Sequence, residues 1–298
     1  SDTSYRTYVE GFSTVIQYYS GIEEIDLTTG SAADDVYAVG GRDRFVTNAG
    51  NDRIHGVDKG DTILAGEGND WVSLDLRYDA EGETDPGEDI NVTLTALQDE
   101  AAVFFAGTAQ ETHLQGVEQM YLYTGAGNDL FDTRGTASDS RWFGYSNYIS
   151  TGAGDDRYFT DLGALGQASF VAGEGYDRLT IDWSLSEYSV NRHSNSSDTS
   201  YRTYVEGFST VIQYFSDVEI FALSGGAAGD ALNGGALDDT LVGNGGNDTL
   251  QGGAGHDLIE GGSGHDLIIL GAGNDTANGG AGDDTIRGSS DGGDDNLA

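Results

Sequence analysis

The sequence predicts an all-β fold made of very short strands joined by tight turns. The first observation behind this prediction is the glycine content. Gly accounts for 47 of the 298 residues, with two or three in most nonads of the repetitive regions, and a helix does not tolerate that density. The second observation is that an apolar residue recurs at ninth positions through most of those regions, in nearly every case with a polar residue on at least one side. An isolated apolar residue of this kind suits a short strand with one buried side chain.

The clearest repeat is a run of seven nonads from Gly225 to Arg287. They read GGAAGDALN, GGALDDTLV, GNGGNDTLQ, GGAGHDLIE, GGSGHDLII, LGAGNDTAN and GGAGDDTIR. The sixth position is Asp in all seven, and the eighth is apolar; a further repeat, two residues out of phase, contains Asp295. The alternative interpretation is a disordered acidic linker. A linker is not expected to keep an apolar residue always two places after Asp, so we favour the folded repeat.

Two less regular runs lie earlier in the chain. Five nonads extend from Thr29 to Ser73, with Asp at every sixth position. The run from Thr124 to Phe159 keeps Asp only in its first and last nonads, and Ser138 and Asn147 take the sixth position in the two between. One out-of-phase nonad, AGEGYDRLT, follows. We expect the middle run to bind cations more weakly than the other two.

Each residue type in the nonad has a physical reason. Glycines permit the positive φ angles that a tight turn needs, without a clash from Cβ. One Asp per turn supplies negative charge, and the turn carbonyls supply further oxygen atoms; a hard divalent cation prefers about six to eight such ligands. Because neither Cys nor clustered His or Glu is used, Zn²⁺, Cu²⁺ and Ni²⁺ are poor candidates, and Ca²⁺ fits best.

The GGxGxDxUx nonads, in which U is apolar, resemble the RTX (haemolysin-type calcium-binding) repeats of proteins exported by Gram-negative type I secretion. The resemblance implies a parallel β-roll, a β-helix-like solenoid in which two nonads form one coil and Ca²⁺ ions lie between stacked turns at each edge. It also implies about eight or more ions. The implied ligands are the sixth-position aspartates: Asp34, Asp43, Asp52, Asp61, Asp70, Asp129, Asp156, Asp177, Asp230, Asp239, Asp248, Asp257, Asp266, Asp275, Asp284 and Asp295. Lys59 replaces a turn glycine beside Asp61, which weakens the case for a site there.

A second, much longer repeat relates residues 1–19 to residues 197–215, which are identical except at Tyr19 and Phe215. Similar lead-in segments precede all three runs, with a Glu eleven residues before the first repeat Asp: Glu23, Glu118 and Glu219. Recurrence at a fixed distance favours a structural role for these residues. The segments between runs alternate polar and apolar residues, as strands do, and Glu206-Gly207 is predicted to form a hairpin turn.

We therefore predict parallel β-roll blocks interleaved with short antiparallel, β-rich spacers. The predicted divisions are lead-in strands at 1–28, a first roll at 29–73, a spacer at 74–123, a degraded second roll at 124–180, a spacer at 181–224 that repeats 1–28, and a truncated third roll at 225–298. Because the repeats start and stop within the pattern, we expect the chain to be a fragment of a longer protein. The sequence leaves open whether the blocks are collinear.

Charge excludes several kinds of partner. The chain has 51 acidic and 13 basic residues, a formal net charge of −38, so nucleic acid and anionic membrane surfaces would be repelled. The absence of Cys excludes disulfides and cysteine nucleophiles, and no apolar stretch approaches the length of a spanning helix. The predicted partners are Ca²⁺ ions and, through aromatic residues of the spacers, a cell-surface or glycan target. Burial of those aromatic residues in the core is the alternative that we favour.

We expect a non-enzymatic, calcium-binding segment of a secreted or cell-surface adhesin, S-layer protein or toxin, which folds when external Ca²⁺ binds. The alternative is the accessory region of a secreted protease, lipase or alginate-modifying enzyme whose catalytic domain lies outside this chain. No catalytic residue is predicted, because carboxylate pairs carry little information in so acidic a chain. His256 and His265 occupy the fifth position of neighbouring nonads, which we interpret as variation at a permissive position and not as a shared metal site.

Overall fold

A computed structural model of the chain describes residues 4–9, 15–20, 24–38, 41–58, 60–77, 90–95, 100–105, 111–115, 117, 119–132, 147–161, 168–186, 189–194, 200–205, 213–288 and 293–298. These residues wind into a parallel β-solenoid of about ten turns. The predicted all-β class and the β-roll are thereby confirmed. Within the described ranges, no helical segment has the length and hydropathy needed to cross a bilayer.

The solenoid has two large sheets, and sheet 1 contains fifteen strands in the described part of the chain. They are β1 (Ser4–Val9), β2 (Val15–Ser20), β4 (Asp34–Tyr37), β7 (Arg53–Val57), β10 (Trp71–Asp75), β14 (Gln119–Tyr123), β16 (Asn147–Ala153), β18 (Ala168–Glu174), β20 (Val190–Ser194), β21 (Ser200–Val205), β22 (Gln213–Ser216), β24 (Ala231–Gly235), β26 (Thr249–Ala254), β28 (Leu267–Ala272) and β30 (Thr285–Arg287). Their order across the sheet is β2-β1-β4-β7-β10-β14-β16-β18-β22-β21-β20-β24-β26-β28-β30.

Sheet 2 contains fourteen strands among the described residues. They are β3 (Asp26–Thr28), β5 (Arg44–Val46), β8 (Thr62–Leu64), β11 (Ile90–Thr95), β12 (Glu100–Phe105), β13 (Glu111–Gln115), β15 (Leu130–Asp132), β17 (Arg157–Asp161), β19 (Arg178–Asp182), β23 (Ile220–Ser224), β25 (Thr240–Val242), β27 (Leu258–Ser263), β29 (Thr276–Ala281) and β31 (Asn296–Leu297). Their order is β3-β5-β8-β13-β12-β11-β15-β17-β19-β23-β25-β27-β29-β31. The short strands β6 (Ala49–Gly50) and β9 (Glu67–Gly68) pair separately.

Each regular coil contributes one strand to each sheet. In sheet 1, β24, β26 and β28 stack in parallel, so that Leu232 pairs with Leu250 one coil later. In sheet 2, β25, β27 and β29 stack in the same way, and Leu241 pairs with Ile259. Consecutive nonads therefore alternate between the sheets, and their turns alternate between the two edges of the solenoid.

The apolar core is a narrow layer between the two sheets. Apart from the partly buried Ile286, the eighth-position residues of the first and third runs are at most 2% exposed: Val36, Phe45, Ile54, Ile63, Val72, Leu232, Leu241, Leu250, Ile259, Ile268 and Ala277. Phe170 of the second roll and the spacer aromatics Phe215 and Phe221 are also fully buried. Because each nonad adds so few apolar side chains, hydrogen bonds between the turns take on a large share of the stabilisation.

The spacer segments belong to the same two sheets. In sheet 2, β11, β12 and β13 form an antiparallel meander, whose outer strands pair in parallel with β15 and β8. In sheet 1, β20, β21 and β22 form a second antiparallel meander, in which β20 pairs in parallel with β24 and β22 pairs in parallel with β18. The third strand of such a triplet runs in the direction of the first, so parallel stacking continues on both sides. The three repeat runs are therefore collinear. The predicted turn at Glu206-Gly207 lies outside the described residues, between β21 and β22.

The middle run departs from the eighteen-residue coil. Asp129 and Asp156 are 27 residues apart yet stack on one another, and Asp177 follows 21 residues later in the same column. Parallel pairing of β14 with β16 and of β15 with β17 sets this alignment, so the extra residues lie in the connections. The turn position predicted for Asn147 was wrong, because this residue begins β16. Ser138 lies outside the described residues.

Candidate metal centre

The sixth-position aspartates line the two edges of the solenoid, immediately before the strands. Asp284 is half-buried and Asp295 is exposed, because no further coil covers them among the described residues. A carboxylate rarely enters a protein interior without a partner, so each buried one requires an explanation. The remaining sixth-position aspartates are all buried, at most 6% exposed: Asp34, Asp43, Asp52, Asp61, Asp70, Asp129, Asp156, Asp177, Asp230, Asp239, Asp248, Asp257, Asp266 and Asp275.

One carboxylate oxygen of most of these aspartates accepts the backbone N–H of a residue in the preceding coil. The N–H of Asp230 donates to Oδ1 of Asp248 at 2.7 Å, and the N–H of Asp248 donates to Oδ1 of Asp266 at 2.8 Å. We call this series the carboxylate ladder; it holds successive turns in register. The same bond joins Asp34 to Asp52, Asp43 to Asp61, Asp52 to Asp70, Asp129 to Asp156, Asp156 to Asp177, Asp239 to Asp257, Asp257 to Asp275, Asp266 to Asp284 and Asp275 to Asp295.

The second carboxylate oxygen separates the nonads into two groups. In the first group this oxygen is buried and accepts no hydrogen bond. The group includes Asp34, Asp52, Asp156 and Asp177, and four consecutive nonads of the third run: Oδ2 of Asp248, Asp257, Asp266 and Asp275. A buried polar atom left without a partner costs about 1–3 kcal/mol, and more when it is charged. Four such atoms in succession mark positions where a cation would compensate the cost.

The first-position glycines bring another oxygen to the same place. A Cβ built on Gly243 would collide with Oδ2 of Asp248 and with the carbonyl oxygen of Gly261, one coil later. Equivalent pairs of oxygens, one carboxylate and one carbonyl, lie against Gly234, Gly252 and Gly261. The missing side chain therefore allows oxygens from consecutive coils to converge.

This donor set fits a hard cation such as Ca²⁺, which binds carboxylate and carbonyl oxygens. Among the described residues, no three Asp, Glu, His or Cys side chains converge on one point. Backbone carbonyls would therefore supply most of the ligands. The atoms that would hold an ion are Oδ2 of the sixth-position Asp and the carbonyl oxygen of the first-position residue in the next coil.

In the other group of nonads the second oxygen is already engaged by its own turn. Asp61 belongs to this group, and the weakness of a cation site beside it stays a prediction; Lys59 itself lies outside the described residues. Three such oxygens are Oδ2 of Asp61, which accepts the N–H of Asp58 at 2.9 Å, Oδ2 of Asp129, which accepts the hydroxyl of Thr124, and Oδ2 of Asp230, which accepts the N–H of Gly226 at 2.6 Å.

Burial raises the pKa of several ladder carboxyls, among them Asp61 and Asp248, above the ordinary value of 3.8, because it removes solvent from the charged form. Neighbouring carboxylates in the column act in the same direction, and the N–H donated by the preceding coil opposes them. A carboxylate disfavoured in this way gains most from a bound cation. The raised pKa is about 8 for Asp61, about 7 for Asp156, Asp177 and Asp248, and about 6 for Asp70 and Asp257.

Glu219 continues the carboxylate ladder outside the nonads. Its Oε2 accepts the N–H of Asp177 at 2.9 Å, and burial raises its pKa. Phe221, two residues later, is fully buried, so Glu-x-Phe reproduces the Asp-x-apolar spacing of the repeats. This ladder role was not predicted from the sequence, although that spacing carries the signal. The equivalent residues Glu23 and Glu118 lie outside the described residues.

The fifth position carries a second ladder in part of the third run, and His256 and His265 take part in it. That this position is permissive and that the two histidines share no metal stays a prediction. Nδ1 of His256 accepts the N–H of Asn274 at 2.9 Å, and Nδ1 of His265 accepts the N–H of Asp283 at 2.9 Å. A side-chain acceptor is not present in every turn, since Gly229 occupies the same position, and the two histidines belong to separate edges. Their own N–H groups donate to residues one coil earlier, to Oδ1 of Asp238 and of Asn247.

Aromatic side chains of the first half form a row across sheet 1. Ring centroids lie 4.4 Å apart for Tyr37 and His55, 4.8 Å for His55 and Trp71, 5.4 Å for Trp71 and Tyr121, and 6.0 Å for Tyr121 and Tyr148. Because the rings contact one another across neighbouring strands, they stabilise strand pairing. These contacts favour a structural role for the row.

A family model described as the RTX calcium-binding nonapeptide repeat (four copies) matches the chain at residues 28–59, 55–76, 144–164, 233–268 and 260–297. The matched segments cover most of the first and third runs and part of the middle run. They include the four consecutive nonads of Asp248, Asp257, Asp266 and Asp275, in which the second carboxylate oxygen accepts no hydrogen bond. No curated protein matches the chain.

Proposed function

Because this chain belongs to the family of RTX calcium-binding repeat proteins, we propose that it is a structural segment whose folding is driven by Ca²⁺. One observation carries the proposal: the buried Oδ2 atoms of Asp248, Asp257, Asp266 and Asp275 accept no hydrogen bond. The metal-free fold therefore buries carboxylate oxygens that the unfolded chain exposes to water. A cation that binds only the folded chain adds its binding free energy to folding.

The net charge supports a switch between an unfolded and a folded chain. A formal charge of −38 opposes compaction until cations neutralise part of it. RTX repeat proteins are typically exported by type I secretion, and extracellular calcium modules bind with dissociation constants of about 10⁻⁴–10⁻³ M. We propose that the chain remains unfolded at low cytosolic Ca²⁺ and folds outside the cell, as part of an adhesin, S-layer protein or toxin.

We further propose that this segment is not itself catalytic. The ladder carboxylates of the described residues are distributed one per turn along two edges, whereas acid–base catalysis needs groups gathered around one substrate. An enzymatic activity of the parent protein would then belong to a domain outside this chain. Assays of this chain with protease, lipase and polysaccharide-lyase substrates in Ca²⁺ test the proposal, and turnover above the rate of a denatured sample would contradict it.

Circular dichroism of the full chain in metal-free buffer, Ca²⁺ and Mg²⁺ tests calcium-driven folding. We expect the β signal to develop cooperatively with Ca²⁺ and not with equal Mg²⁺, because Mg²⁺ is smaller and gives up its water reluctantly. Retention of the full β signal in chelator would overturn the proposal.

Two matched variants separate metal binding from general charge repulsion. Asp266→Asn removes one charge but keeps an oxygen to accept the N–H of Asp248, whereas Glu260→Gln removes one exposed charge from a strand. We expect Asp266→Asn alone to raise the Ca²⁺ midpoint, by about tenfold or more, since interactions with charged groups contribute about 1.5–3 kcal/mol. Equal shifts for both variants would indicate that only net charge matters.

A further inference from the structure

The first position of the nonad is glycine in some coils and a residue with a side chain in others, and what lies between successive turns differs accordingly. In the third-run nonads that begin with Gly243, Gly252 or Gly261, two oxygens fill the place that a Cβ would take. One is Oδ2 of the sixth-position Asp in the same nonad, and the other is the first-position carbonyl oxygen one coil later. These are the two oxygens that would hold a Ca²⁺ ion.

In four nonads of the first and middle runs, threonine stands at the first position in place of glycine. The hydroxyl of Thr47 donates to the carbonyl oxygen of Ala65 at 2.9 Å, and that of Thr151 donates to the carbonyl oxygen of Ala172 at 2.8 Å. Each acceptor is the first-position carbonyl of the next coil, the same group that lies against the third-run glycines. The four threonines are Thr29, Thr47, Thr124 and Thr151.

Two of these hydroxyls also lie beside the sixth-position carboxylate of their own nonad. The hydroxyl of Thr124 donates to Oδ2 of Asp129, and its oxygen is 3.1 Å from the carbonyl oxygen of Thr151. Burial raises the pKa of Asp156 to about 7, and the hydroxyl of Thr151 acts against this rise. Because a hydroxyl has one proton, which Thr151 gives to Ala172, Oδ2 of Asp156 still has no donor. In both nonads a threonine oxygen lies between a carboxylate and a carbonyl of the next coil.

The threonine side chains are enclosed by the stacked turns. Thr47, Thr124 and Thr151 are at most 1% exposed. A buried hydroxyl costs free energy unless it has a hydrogen-bond partner, and the carbonyl of the next coil supplies that partner. A Ca²⁺ ion needs carboxylate and carbonyl oxygens at about 2.3–2.6 Å. The threonine side chain occupies the place where those oxygens converge in the glycine nonads, so the turns are bridged without an ion.

We propose that a buried first-position threonine takes the place of Ca²⁺ between two turns, so that the nonads of Asp52, Asp129 and Asp156 hold no ion, whereas the glycine nonads of the third run do. This inference rests on the calcium-driven folding proposed above and assigns which nonads contribute to it. The three aspartates then act through the carboxylate ladder alone. The hydroxyl binds the carbonyl that an ion would bind, but it adds no positive charge.

Counting the Ca²⁺ ions bound to the full chain, by equilibrium dialysis at saturating Ca²⁺, tests the assignment. Thr151→Gly recreates a glycine nonad beside Asp156, and we expect it to bind one more ion per chain than the natural sequence. Thr151→Ser keeps the hydroxyl and is expected to bind the natural number. Thr180→Gly, at a half-buried residue of β19, is the control for the loss of a strand threonine and is also expected to leave the number unchanged.

Gly243→Thr makes the reverse change in the third run and provides the decision where Thr151→Gly does not fold. We expect it to bind one ion fewer than the natural chain, while circular dichroism of the same samples shows that the β signal in Ca²⁺ is kept. Gly30→Thr is its control, since a Cβ at Gly30 has no neighbour within 4 Å.

The ion counts and the β signal separate this assignment from calcium-driven folding. A folded Thr151→Gly chain that binds the natural number of ions or fewer, or a folded Gly243→Thr chain that binds the natural number, would overturn the role of threonine while leaving calcium-driven folding intact. A natural chain that keeps its full β signal in chelator, together with an ion gained by Thr151→Gly, would support the role of threonine and refute calcium-driven folding.

Discussion

Oε2 of Glu219 accepts the backbone N–H of Asp177 at 2.9 Å, across 42 residues of sequence. This bond carries the carboxylate ladder from the middle run to the lead-in strand of the third run, where no nonad is present. The repeat motif is therefore one way of building a ladder whose actual requirement is a carboxylate two residues before a buried apolar side chain.

We predict that Glu219→Ala destabilises the Ca²⁺-loaded fold by about 1–3 kcal/mol, because it leaves the N–H of Asp177 buried without an acceptor. Glu219→Gln keeps an acceptor oxygen and is expected to lose less. Denaturant unfolding at saturating Ca²⁺ measures both. Glu174→Ala, at an exposed residue, is the matched control, and a loss for the control as large as that for Glu219→Ala would contradict the ladder role.

We predict that Gly243→Ala weakens both Ca²⁺ binding and stability, because its Cβ would collide with Oδ2 of Asp248 and the carbonyl oxygen of Gly261. Overpacking of this kind costs about 1–3 kcal/mol. Gly30→Ala is the control, since a Cβ there has no neighbour within 4 Å. Calcium titration calorimetry and thermal unfolding compare the two variants. If both behave alike, the oxygens beside Gly243 do not form a binding site.

We predict opposite effects of pH on the metal-free and the Ca²⁺-loaded chain. The pKa values of Asp61, Asp248 and Asp257 are raised by burial to about 8, 7 and 6, from 3.8. A raised carboxyl pKa stabilises the fold below pH 3.8 and loses that contribution as pH rises through the raised values. Without metal, folding is therefore expected to improve on acidification, whereas Ca²⁺ affinity is expected to fall because protons compete for the same oxygens.

Circular dichroism between about pH 4 and pH 9 checks this prediction, with and without saturating Ca²⁺. A metal-free chain whose β content decreases steadily on acidification would show that the ladder carboxyls are not protonated in the fold.

We predict that His256→Ala increases hydrogen exchange at the backbone N–H of Asn274, because Nδ1 of His256 is the acceptor of that N–H. His256→Asn is expected to preserve the protection, since Asn247 and Asn274 act as acceptors at the same position of other nonads. The lost bond corresponds to about 0.5–1.5 kcal/mol. Hydrogen exchange followed by mass spectrometry distinguishes the variants. Unchanged exchange in His256→Ala would show that Nδ1 of His256 does not protect this N–H.

The relative positions of Gly, Asp and apolar residues within one nonad are local signals, and they were sufficient to predict the buried Leu250, the edge position of Asp248 and the preference for Ca²⁺. The same local reasoning failed for Asn147, because the coil from Asp129 to Asp156 takes 27 residues. Strand pairing with the neighbouring coils, and not the number of residues per coil, decides which residues lie in turns. The fifth-position ladder was not predicted from the local sequence either, because the donor to an acceptor such as His256 lies eighteen residues away.

By itself, the sequence determined the nine-residue period of the repeats, the column of buried eighth-position residues and the chemistry of the cation ligands, because each is encoded within nine residues. Only the tertiary structure decided which N–H reaches which carboxylate, which second oxygens remain without a donor, and that the three runs share one axis. These properties arise between coils, because a hydrogen bond from Asp248 to Asp266 exists only when one turn lies directly upon the next.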